Sequence, residues 1–442
     1  MKFFFIFPLI VSSFFAKSQI LWDLEAPINL AENTFGNTCA QLLIDPSGNP
    51  QIIMGKPNEG LYIVSSDAGS FGTPQVIPTG DNISIMNSNG PNVARLGNKI
   101  GIVYREVSMG ITSLKFIQSL DNGISWEESI DIFTSENQSF SIPMLSYDND
   151  GNPFIVSKIG ESPEIIEGFI RSIDGGLSFL PFINVHSDLG EGVTCECCPS
   201  NPLYYNDRFY NIFRRNEDNL RDFWIVSSAN GVDWDEQLDI DPIDWMINGC
   251  PSSGAKSSIL QDGRILTAFM SGGNSSPKIY LNIFDTSNGA DLGTIELSTN
   301  QVLNQNYPSL ASGFSHTAIA WEEFSDGVNI KLSIASNGNI PAGLVDGALS
   351  LSQNIEGSNR YPDIEILGDK LFVIWQSLNE GTVKYMSGTI TDFNGISELN
   401  NSKTLLKIST MLGQEIKRPV PNQVLLYLYD DGSAEKKVLL DY

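Results

Sequence analysis

Seven short apolar runs recur along this 442-residue sequence, and three consecutive runs carry a cation at the same position near their ends. The runs are QIIMGK, GIVYRE, FIVSKI, YNIFRRN, LTAFMSG, TAIAWEE and LFVIWQS, and the residues at that position are Gly55, Arg105, Lys158, Arg214, Met270, Glu322 and Gln376. Guanidinium and ammonium groups fixed side by side are the donors that bind a carboxylate or a sulfate. The pattern therefore predicts a pocket for an anionic ligand, in which Glu322 and Gln376 accompany the three cations.

Acidic residues near these positions leave two alternatives open. The cations can pair with Glu106, Glu217 or Asp218 and remain solvated strand ends without a ligand. Two carboxylates at a suitable separation can instead supply the acid and base of a glycoside hydrolase. The candidates for that chemistry are Glu106, Glu322 and Glu323.

The five cysteines of the chain are Cys39, Cys195, Cys197, Cys198 and Cys250. Cys198 and Cys250 each precede a proline at the start of a unit, so they occupy the same position in neighbouring units. We expect a disulfide between Cys198 and Cys250, which requires their α-carbons to approach within about 7 Å. Cys39 is then the lone thiol.

The alternative for the cysteines is a thiolate metal site formed by Cys195, Cys197, Cys198 and Cys250. Adjacent cysteines fit poorly with the usual spacing of zinc ligands, so we expect no metal. His186 and His316 are too far apart in the sequence to support a catalytic triad.

A recurring turn, Ser-x-Asp-x-Gly-x-x-aromatic, marks the elements that must position these residues. It reads SLDNGISW, SIDGGLSF and SSANGVDW, with a shortened copy SSDAGSF, and its glycines are Gly69, Gly123, Gly176 and Gly231. These glycines are separated by 54, 53 and 55 residues. Degenerate copies continue the same spacing, and their glycines are Gly289, Gly338 and Gly395. The chain therefore contains seven repeated units.

Within each unit, short apolar or alternating runs are separated by Gly, Asn and Asp turns, without a sustained helical period. Each unit predicts a four-stranded sheet, so the chain is an all-β protein. Such sheets must stack to cover their faces, which predicts a β-propeller of seven blades, with six blades and an irregular unit as the alternative. We expect residues 20–30 to supply the outer strand of the seventh unit and to close the ring.

The recurring turn is similar to the Asp-box of the bacterial neuraminidase repeat, found in sialidases and other secreted propellers. This resemblance implies that the turn joins the third and fourth strands of a blade, with Asp121, Asp174 and Trp126 in structural roles. Ligands then bind at the opposite end of the blades. The CECC and GCP elements between residues 195 and 273 also resemble one sialidase-like propeller subgroup.

Sialidases clamp the substrate carboxylate with three arginines, and use a tyrosine activated by glutamate as nucleophile and an aspartate as acid and base. The resemblance implies that the arginines correspond to Arg105, Arg214 and Arg360. Tyr104, Tyr307 and Tyr361 are the tyrosines that it offers as nucleophile. The FRIP motif, which usually carries the first arginine, does not occur here. The catalytic candidates are therefore Glu106, Tyr361 and Glu322, and Arg360 joins the predicted ligand-binding residues.

The two ends of the chain predict export. Residues 1–18 combine Lys2, an apolar run and a small-x-small site, which is typical of a signal peptide and too short to span a bilayer. Residues 399–442, with LLKI, LGQE, LYDDG and EKK elements, resemble the C-terminal sorting domain of type IX secretion in Bacteroidetes. The propeller then occupies residues 19–398.

The composition restricts the partners of the chain. The 52 acidic residues against 26 basic ones give a net charge of -26, which argues against binding to nucleic acid or anionic membranes. We expect a secreted protein, extracellular or attached to the outer membrane, that recognises an extracellular glycan or glycoprotein. An exo-sialidase-like glycoside hydrolase is the alternative. The expected contacts also include the type IX secretion machinery, and no cofactor is expected apart from structural calcium.

Overall fold

A computed structural model gives the fold of the chain. It describes residues 17–31, 38–56, 59–67, 69–80, 82–87, 90–108, 111–135, 139–160, 164–186, 194–234, 236–273, 276–298, 303–345, 347–353, 355–393, 405–410, 414–416, 424–429 and 434–438. The chain forms two compact units, residues 1–392 and residues 393–442. Most of the predicted signal peptide, residues 1–16, lies outside the described residues, as does the degenerate turn at Gly395.

The described part of the first unit contains seven antiparallel sheets, named blades 1 to 7 in chain order. Two strands precede blade 1, namely β1 (Lys17–Trp22) and β2 (Ile28–Ala31). Blade 1 contains β3 (Gln41–Ile44), β4 (Pro50–Lys56), β5 (Gly60–Asp67), β6 (Ser70–Phe71) and β7 (Gln75–Ile77). Blade 2 contains β8 (Asn92–Leu96), β9 (Lys99–Ser108), β10 (Ile111–Ser119) and β11 (Ile130–Ser135). Blade 3 contains β12 (Phe140–Tyr147), β13 (Pro153–Ile159), β14 (Ile166–Arg171) and β15 (Ile183–Asn184).

The remaining blades repeat this order. Blade 4 contains β16 (Asn201–Tyr205), β17 (Arg208–Arg214), β18 (Phe223–Ser228) and β19 (Glu236–Asp239). Blade 5 contains β20 (Lys256–Ile259), β21 (Arg264–Ser271), β22 (Lys278–Asp285) and β23 (Ala290–Glu296). Blade 6 contains β24 (Asn304–Ser312), β25 (His316–Ser325), β26 (Gly327–Ser336), the 3-10 turn η1 (Asn337–Asn339) and β27 (Leu349–Ser350). Blade 7 contains β28 (Asn359–Leu367), β29 (Lys370–Ser377) and β30 (Thr382–Phe393).

Strands β1 and β2 both pair with β30 and complete blade 7. The prediction that residues 20–30 supply the outer strand of the seventh unit and close the ring is therefore confirmed. The apolar cores agree with this closure, because each cluster of buried side chains joins one blade to the next. A further cluster joins Ile374 of blade 7 to Ile52 of blade 1. The all-β propeller predicted from the repeats is confirmed.

The second strand of each blade lies between two covered faces, which explains why its sequence is apolar throughout. Every residue of Pro153–Ile159 is buried, and the same holds for all but the first residue of Arg264–Ser271. A strand that is buried on both faces has no polar alternation. These second strands are the seven apolar runs of the sequence, and the candidate positions from Gly55 to Gln376 lie near their ends.

The inner strands are linked around the axis by side chains that accept hydrogen bonds from the backbone of the next blade. Asp363 Oδ2 of blade 7 accepts from the Leu42 N–H of blade 1 at 2.9 Å. In the same direction, Asn92 Oδ1 of blade 2 accepts from the Leu145 N–H of blade 3 at 2.7 Å. Each bond satisfies a backbone donor near the axis and fixes the register of neighbouring blades.

Several inner strands begin with a bulge formed by a residue and the proline that follows it. The register of blades 3, 6 and 7 shifts at Ile142–Pro143, Tyr307–Pro308 and Tyr361–Pro362. Ile142, Tyr307 and Tyr361 have φ values of 52°, 46° and 53°, in the left-handed region that such side chains rarely adopt. The bulge places Tyr307 and Tyr361 at equivalent positions of adjacent blades, as the alignment on prolines predicts.

The Asp-box turns are structural, as predicted. Ser119 Oγ accepts from the Gly123 N–H at 2.8 Å, and Asp121 Oδ1 accepts from the Ser125 N–H at 2.8 Å. The box of blade 4 is shifted by one residue from its sequence alignment, because Ser228 Oγ, and not that of Ser227, accepts from the Gly231 N–H at 2.9 Å. The turns are thus held by side chains bonded to their own backbone.

The aromatic residue of each well-formed box packs against the preceding blade. The ring of Phe179 lies 5.3 Å from that of Phe116, and the ring of Trp234 lies 5.0 Å from that of Phe169. The box therefore joins blades as well as closing its own turn.

The second unit is a small antiparallel sheet in the order β32–β31–β33–β34. Its strands are β31 (Leu405–Thr410), β32 (Glu415–Ile416), β33 (Val424–Tyr429) and β34 (Ala434–Val438). Its predicted role as a sorting domain for residues 399–442 stays a prediction. Among the described residues of both units, none belongs to a helix with the length and apolar character needed to cross a bilayer.

Candidate functional site

The candidate residues and the Asp-boxes lie at opposite ends of the blades. Glu322, near the end of the second strand of blade 6, pairs with Asn306 at the start of the first strand. Ser119 of an Asp-box instead pairs with Ile100 at the beginning of a second strand. The end that carries Glu322, called the mouth below, is where the resemblance to Asp-box propellers places ligands.

A cavity of about 130 Å³ lies on the axis at the mouth. Every blade contributes to its wall, and one residue from each is Cys39, Pro91, Met144, Pro199, Ala255, Tyr307 and Tyr361. Because the bulged starts of the inner strands meet there, two tyrosines border a mostly apolar opening. A few polar groups on an apolar wall are typical of ligand sites, but this cavity is smaller than the roughly 300–1,000 Å³ of a usual ligand pocket.

Glu322 and Arg360 form an ion pair between blades 6 and 7. Arg360 Nε donates to Glu322 Oε2 at 2.7 Å, and the Tyr361 N–H donates to Glu322 Oε1 at 2.7 Å. The side chain of Glu322 is 0% exposed and that of Arg360 is 20% exposed. Within the described part of the chain, no acceptor occupies Nη1 or Nη2 of Arg360. The carboxylate thus orients a guanidinium that keeps two donor groups for a ligand.

Three aromatic rings surround the Arg360 guanidinium. Its Cζ lies 5.0 Å from the ring centre of Tyr361, 5.5 Å from that of Tyr307 and 5.6 Å from that of Phe324. The two tyrosine rings meet edge to face with centres 4.8 Å apart. Cation–π contacts hold the guanidinium in this aromatic setting. We call Glu322, Arg360, Tyr307, Tyr361 and Phe324 the aromatic–arginine cluster.

Asn87 links Gln376 of blade 7, the strand neighbour of Arg360, to Cys39 before blade 1. Its Oδ1 accepts from Gln376 Nε2 at 2.7 Å and from the Cys39 N–H at 3.0 Å. A β-carbon added to Gly55 would lie 2.7 Å from Ile85, so the connection that carries Asn87 lies directly on blade 1. Sequence reasoning missed Asn87 because it belongs to a connection outside the repeated runs.

The titration behaviour of the cluster does not favour a tyrosine nucleophile. Burial raises the pKa of Tyr361, and burial together with Tyr361 and Glu322 raises the pKa of Tyr307. An activated nucleophile needs a lowered pKa or an adjacent base. Burial also raises the pKa of Glu322, and its two oxygens accept from a guanidinium and a backbone N–H, not from a phenol.

Lys158, one of the three predicted cations, is enclosed between blade 3 and the segment before blade 4. Its Nζ contacts Glu167 Oε2 and donates to Thr194 Oγ1 at 2.8 Å and Ser200 Oγ at 3.0 Å. The side chains of Lys158 and Glu167 are 1% and 0% exposed. This ammonium has no donor left for a ligand and serves the structure.

Arg214 is equally enclosed, but its partners are backbone carbonyl groups. Nη1 donates to the Arg221 carbonyl at 2.7 Å and Nη2 to the Met270 carbonyl at 2.5 Å. The guanidinium also lies 4.1 Å from the ring centre of Phe223. Burial lowers the pKa of Arg214 to about 9, and the group is 0% exposed. Arg105, Lys158 and Arg214 share no partner among the described residues, so the predicted three-cation pocket is not formed.

The remaining candidates, three on blade 2 and one on blade 6, also lie outside the aromatic–arginine cluster. Glu106 Oε2 pairs with Lys115 at 2.8 Å. Arg105 is partly buried, which lowers its pKa, and its Nε meets no partner in the part of the chain that the structure describes. Tyr104 is buried in the core between blades 1 and 2. Glu323, on blade 6, faces Lys331 at 3.4 Å.

The predicted disulfide between Cys198 and Cys250 is wrong. Cys195 bonds to Cys198 with α-carbons 5.5 Å apart, and Cys197 bonds to Cys250 with α-carbons 6.2 Å apart. The equivalent positions of Cys198 and Cys250 correctly brought the two segments together, but the turn at residues 195–198 presents Cys197 to Cys250. Cys39 is free, as predicted, and its side chain is buried.

No protein-family model matches the chain, and no curated protein matches it. Among solved structures, it is similar to an ulvan lyase of a new polysaccharide lyase family, bound to -[GlcA(1-4)Rha3S]-. The identity is 12%, the match covers 81% of this chain and 95% of the lyase, and the TM-score is 0.54. It is also similar to an α-L-arabinofuranosidase of Fusarium graminearum in complex with arabinobiose, at 10% identity over 82% of this chain and 97% of that enzyme, with a TM-score of 0.49. The likeness to the lyase concerns the fold.

Proposed function

We propose that this protein recognises an extracellular glycan at the mouth, through the aromatic–arginine cluster, without cleaving it. The observation that carries the proposal is the guanidinium of Arg360, which Glu322 fixes while leaving two Nη donor groups at a surface of aromatic rings. Paired N–H donors match the oxygens of a carboxylate, a sulfate or neighbouring hydroxyls. The apolar faces of sugar rings suit the adjacent aromatic surface.

The arrangement around Glu322 favours binding over hydrolysis. A retaining or inverting glycosidase needs two carboxyl groups facing one bond. Both carboxylate oxygens of Glu322 accept hydrogen bonds, one from Arg360 and one from a backbone N–H. Glu106 pairs with Lys115 and Glu323 pairs with Lys331. The ulvan lyase is similar in fold at 12% identity, so its activity does not transfer by itself.

The extracellular location is part of the same proposal. Residues 1–18 have the sequence of a signal peptide, and residues 399–442 resemble a type IX sorting domain. Export by that route would place the mouth among glycans at the cell surface or beyond it. Fractionation of the native organism, with an antibody against the propeller, tests this: the protein should appear at the surface or in the medium.

The binding test uses the full chain on an array of neutral, carboxylated and sulfated glycans, followed by calorimetry on the best ligand. Arg360→Met keeps the apolar stem and removes the donors. We expect it to weaken binding about tenfold or more, which corresponds to one lost charged hydrogen-bonding group. Arg264→Met is the matched control, because Arg264 pairs with Asp262 at the Asp-box end.

Two results would contradict the proposal. Equal affinity of wild type and Arg360→Met would remove the mouth from recognition. Release of new reducing ends from a bound glycan, absent in Glu322→Gln, would show a hydrolase instead.

A further inference from the structure

Four sulfur atoms meet between the starts of blades 4 and 5, away from the aromatic–arginine cluster. They belong to Cys195, Cys197, Cys198 and Cys250, here called the four-sulfur cluster. The sulfurs of Cys195, Cys197 and Cys198 all lie within 4.8 Å of one another. Cys250 bonds to Cys197, so its sulfur is at the same place. The fold therefore collects four sulfur atoms at one place, joined here as two disulfides.

One spacing in the four-sulfur cluster matches that of a tetrahedral ion, and the two disulfide-bonded pairs must separate before an ion binds. Two thiolates bound to Zn²⁺ at about 2.3 Å and at the tetrahedral angle lie about 3.8 Å apart. Cys195 Sγ and Cys197 Sγ, which are not bonded to each other, lie 3.7 Å apart. We propose that the four-sulfur cluster, in its thiol form, binds one Zn²⁺. The adjacency of Cys197 and Cys198, which argued against zinc in the sequence, is offset by a turn that brings all four sulfurs together.

A cationic side chain already supports negative charge at this position. Arg221 Nη1 lies 3.1 Å from Cys195 Sγ and 3.3 Å from Glu196 Oε2. The residue is only 4% exposed. Four thiolates leave an excess of negative charge on a zinc centre, and an N–H donated to one sulfur reduces it. Such partners outside the ligand set typically tune metal affinity.

Solvent reaches the four-sulfur cluster from one side. Cys250 lies in an exposed segment and Cys197 is partly exposed, whereas Cys195 and Cys198 are buried. An ion would enter past Cys250 and meet the two buried sulfurs last. An oxidant can reach Cys197 and Cys250, which form the disulfide between the two segments, through the same opening.

The chemistry of the two forms balances. A newly made chain carries four thiols, and binding of Zn²⁺ as a tetrathiolate releases four protons to solvent. Oxidation of the tetrathiolate by a disulfide-containing partner removes two electrons for each disulfide formed, and the partner takes two protons from solvent as it is reduced to two thiols. The metal leaves when the second disulfide forms. The cluster is thus a zinc clamp between blades 4 and 5 that two disulfides replace.

The test uses the full chain purified with a phosphine reductant and without chelator, then titrated with Co²⁺ alone. We expect one equivalent to give a thiolate-to-cobalt charge-transfer band and the intense visible bands of a tetrahedral site. Zn²⁺ should displace the cobalt. Cys250→Ser and Cys197→Ser should lose this spectrum, whereas Cys39→Ser, which removes the free thiol elsewhere, should keep it.

Two further measurements separate a metal site from a structural effect. Arg221→Gln retains all four ligands and should weaken Zn²⁺ about tenfold without changing the stoichiometry. If the reduced chain has lost its near-ultraviolet circular dichroism, Zn²⁺ should restore it. Absence of the cobalt spectrum in a folded chain with four titratable cluster thiols would overturn the proposal, and so would failure of Zn²⁺ to restore a reduced, unfolded chain.

Discussion

The mouth has two regions that carry an ion pair at related positions of the repeat, but the pairs differ in what they can do. On blade 3, Lys158 and Glu167 are 1% and 0% exposed and are capped by Thr194 and Ser200. Between blades 6 and 7, Glu322 is equally buried while Arg360 stays 20% exposed. Both regions carry charge, so burial by a neighbouring segment, and not charge, distinguishes the enclosed ammonium of Lys158 from the partly exposed guanidinium of Arg360.

The cover has an identifiable source. The segment of residues 194–200 carries the cysteines and supplies both hydroxyl groups that saturate Lys158. Blades 6 and 7 lack a corresponding segment among their described residues, and their bulged tyrosines border the axial cavity. A buried, fully bonded ammonium stabilises the fold, whereas a guanidinium at an aromatic edge remains available.

The largest loss of stability is expected from breaking the buried ion pair of Lys158 and Glu167. Lys158→Ala leaves Glu167 as an uncompensated buried charge, which should lower the free energy of unfolding by about 3–5 kcal/mol. Urea denaturation of the full chain measures it. The double variant Lys158→Met with Glu167→Leu should recover most of the loss, since it removes both charges. A single variant as stable as the wild type would show that the pair is not buried in solution.

A pH effect on stability is expected from Asp241, which is buried near Arg214. Burial raises the pKa of Asp241 to about 7, above its ordinary value of 3.8. At pH values between these two, the folded chain therefore binds more protons than the unfolded chain. Its contribution to stability is therefore present at low pH and lost as the pH rises through about 7, by about 1.4 kcal/mol for each unit of the shift.

Asp241→Asn isolates that contribution. The difference in unfolding free energy between wild type and variant should change between pH 5 and pH 8 in favour of the variant. His186 acts in the opposite sense, because burial lowers its pKa to about 3. Its contribution to the stability of the folded chain is lost as the pH falls below 6.5. Its effect is common to both chains and cancels. A difference that stays constant with pH would exclude the raised pKa.

A smaller loss of stability is expected from breaking the partly exposed ion pair of Glu322 and Arg360. Glu322→Gln leaves Arg360 without its carboxylate, but water can reach that guanidinium, so the free energy of unfolding should fall by only about 1–2 kcal/mol. Glycan affinity should fall as well, because the donor groups lose their fixed orientation. Calorimetry and urea denaturation on the same preparation separate the two. A loss as large as that of Lys158→Ala would contradict the distinction between the two regions.

The smallest effect is expected for Arg105. Its partly exposed guanidinium joins neither pair, so Arg105→Gln should change stability by no more than about 0.5 kcal/mol. Glycan affinity should be unchanged within error. Weakened binding would extend the site to blade 2 and restore part of the predicted three-cation pocket.

Much of the candidate site was accessible from the repeats. Alignment of apolar runs and prolines placed Glu322, Tyr361 and Gln376 near one end of adjacent blades, and the resemblance to sialidases added Arg360. The structure brings the four together. The alignment could not rank them against Lys158 and Arg214, since equivalent positions in a repeat differ in the loops that cover them. Asn87 and Thr194 belong to such loops and carry no periodic signal.

Local turn chemistry and apolar periodicity were enough to predict the repeat and the β-propeller, because both depend on residues that are neighbours in the chain. Only the tertiary structure decided that Cys197, and not Cys198, reaches Cys250, and that Lys158 is enclosed while Arg360 is open. The reason is physical: hydrogen bonds within a turn are set by neighbours in the chain, whereas burial and side-chain partners depend on segments that lie distant in sequence and meet only after folding.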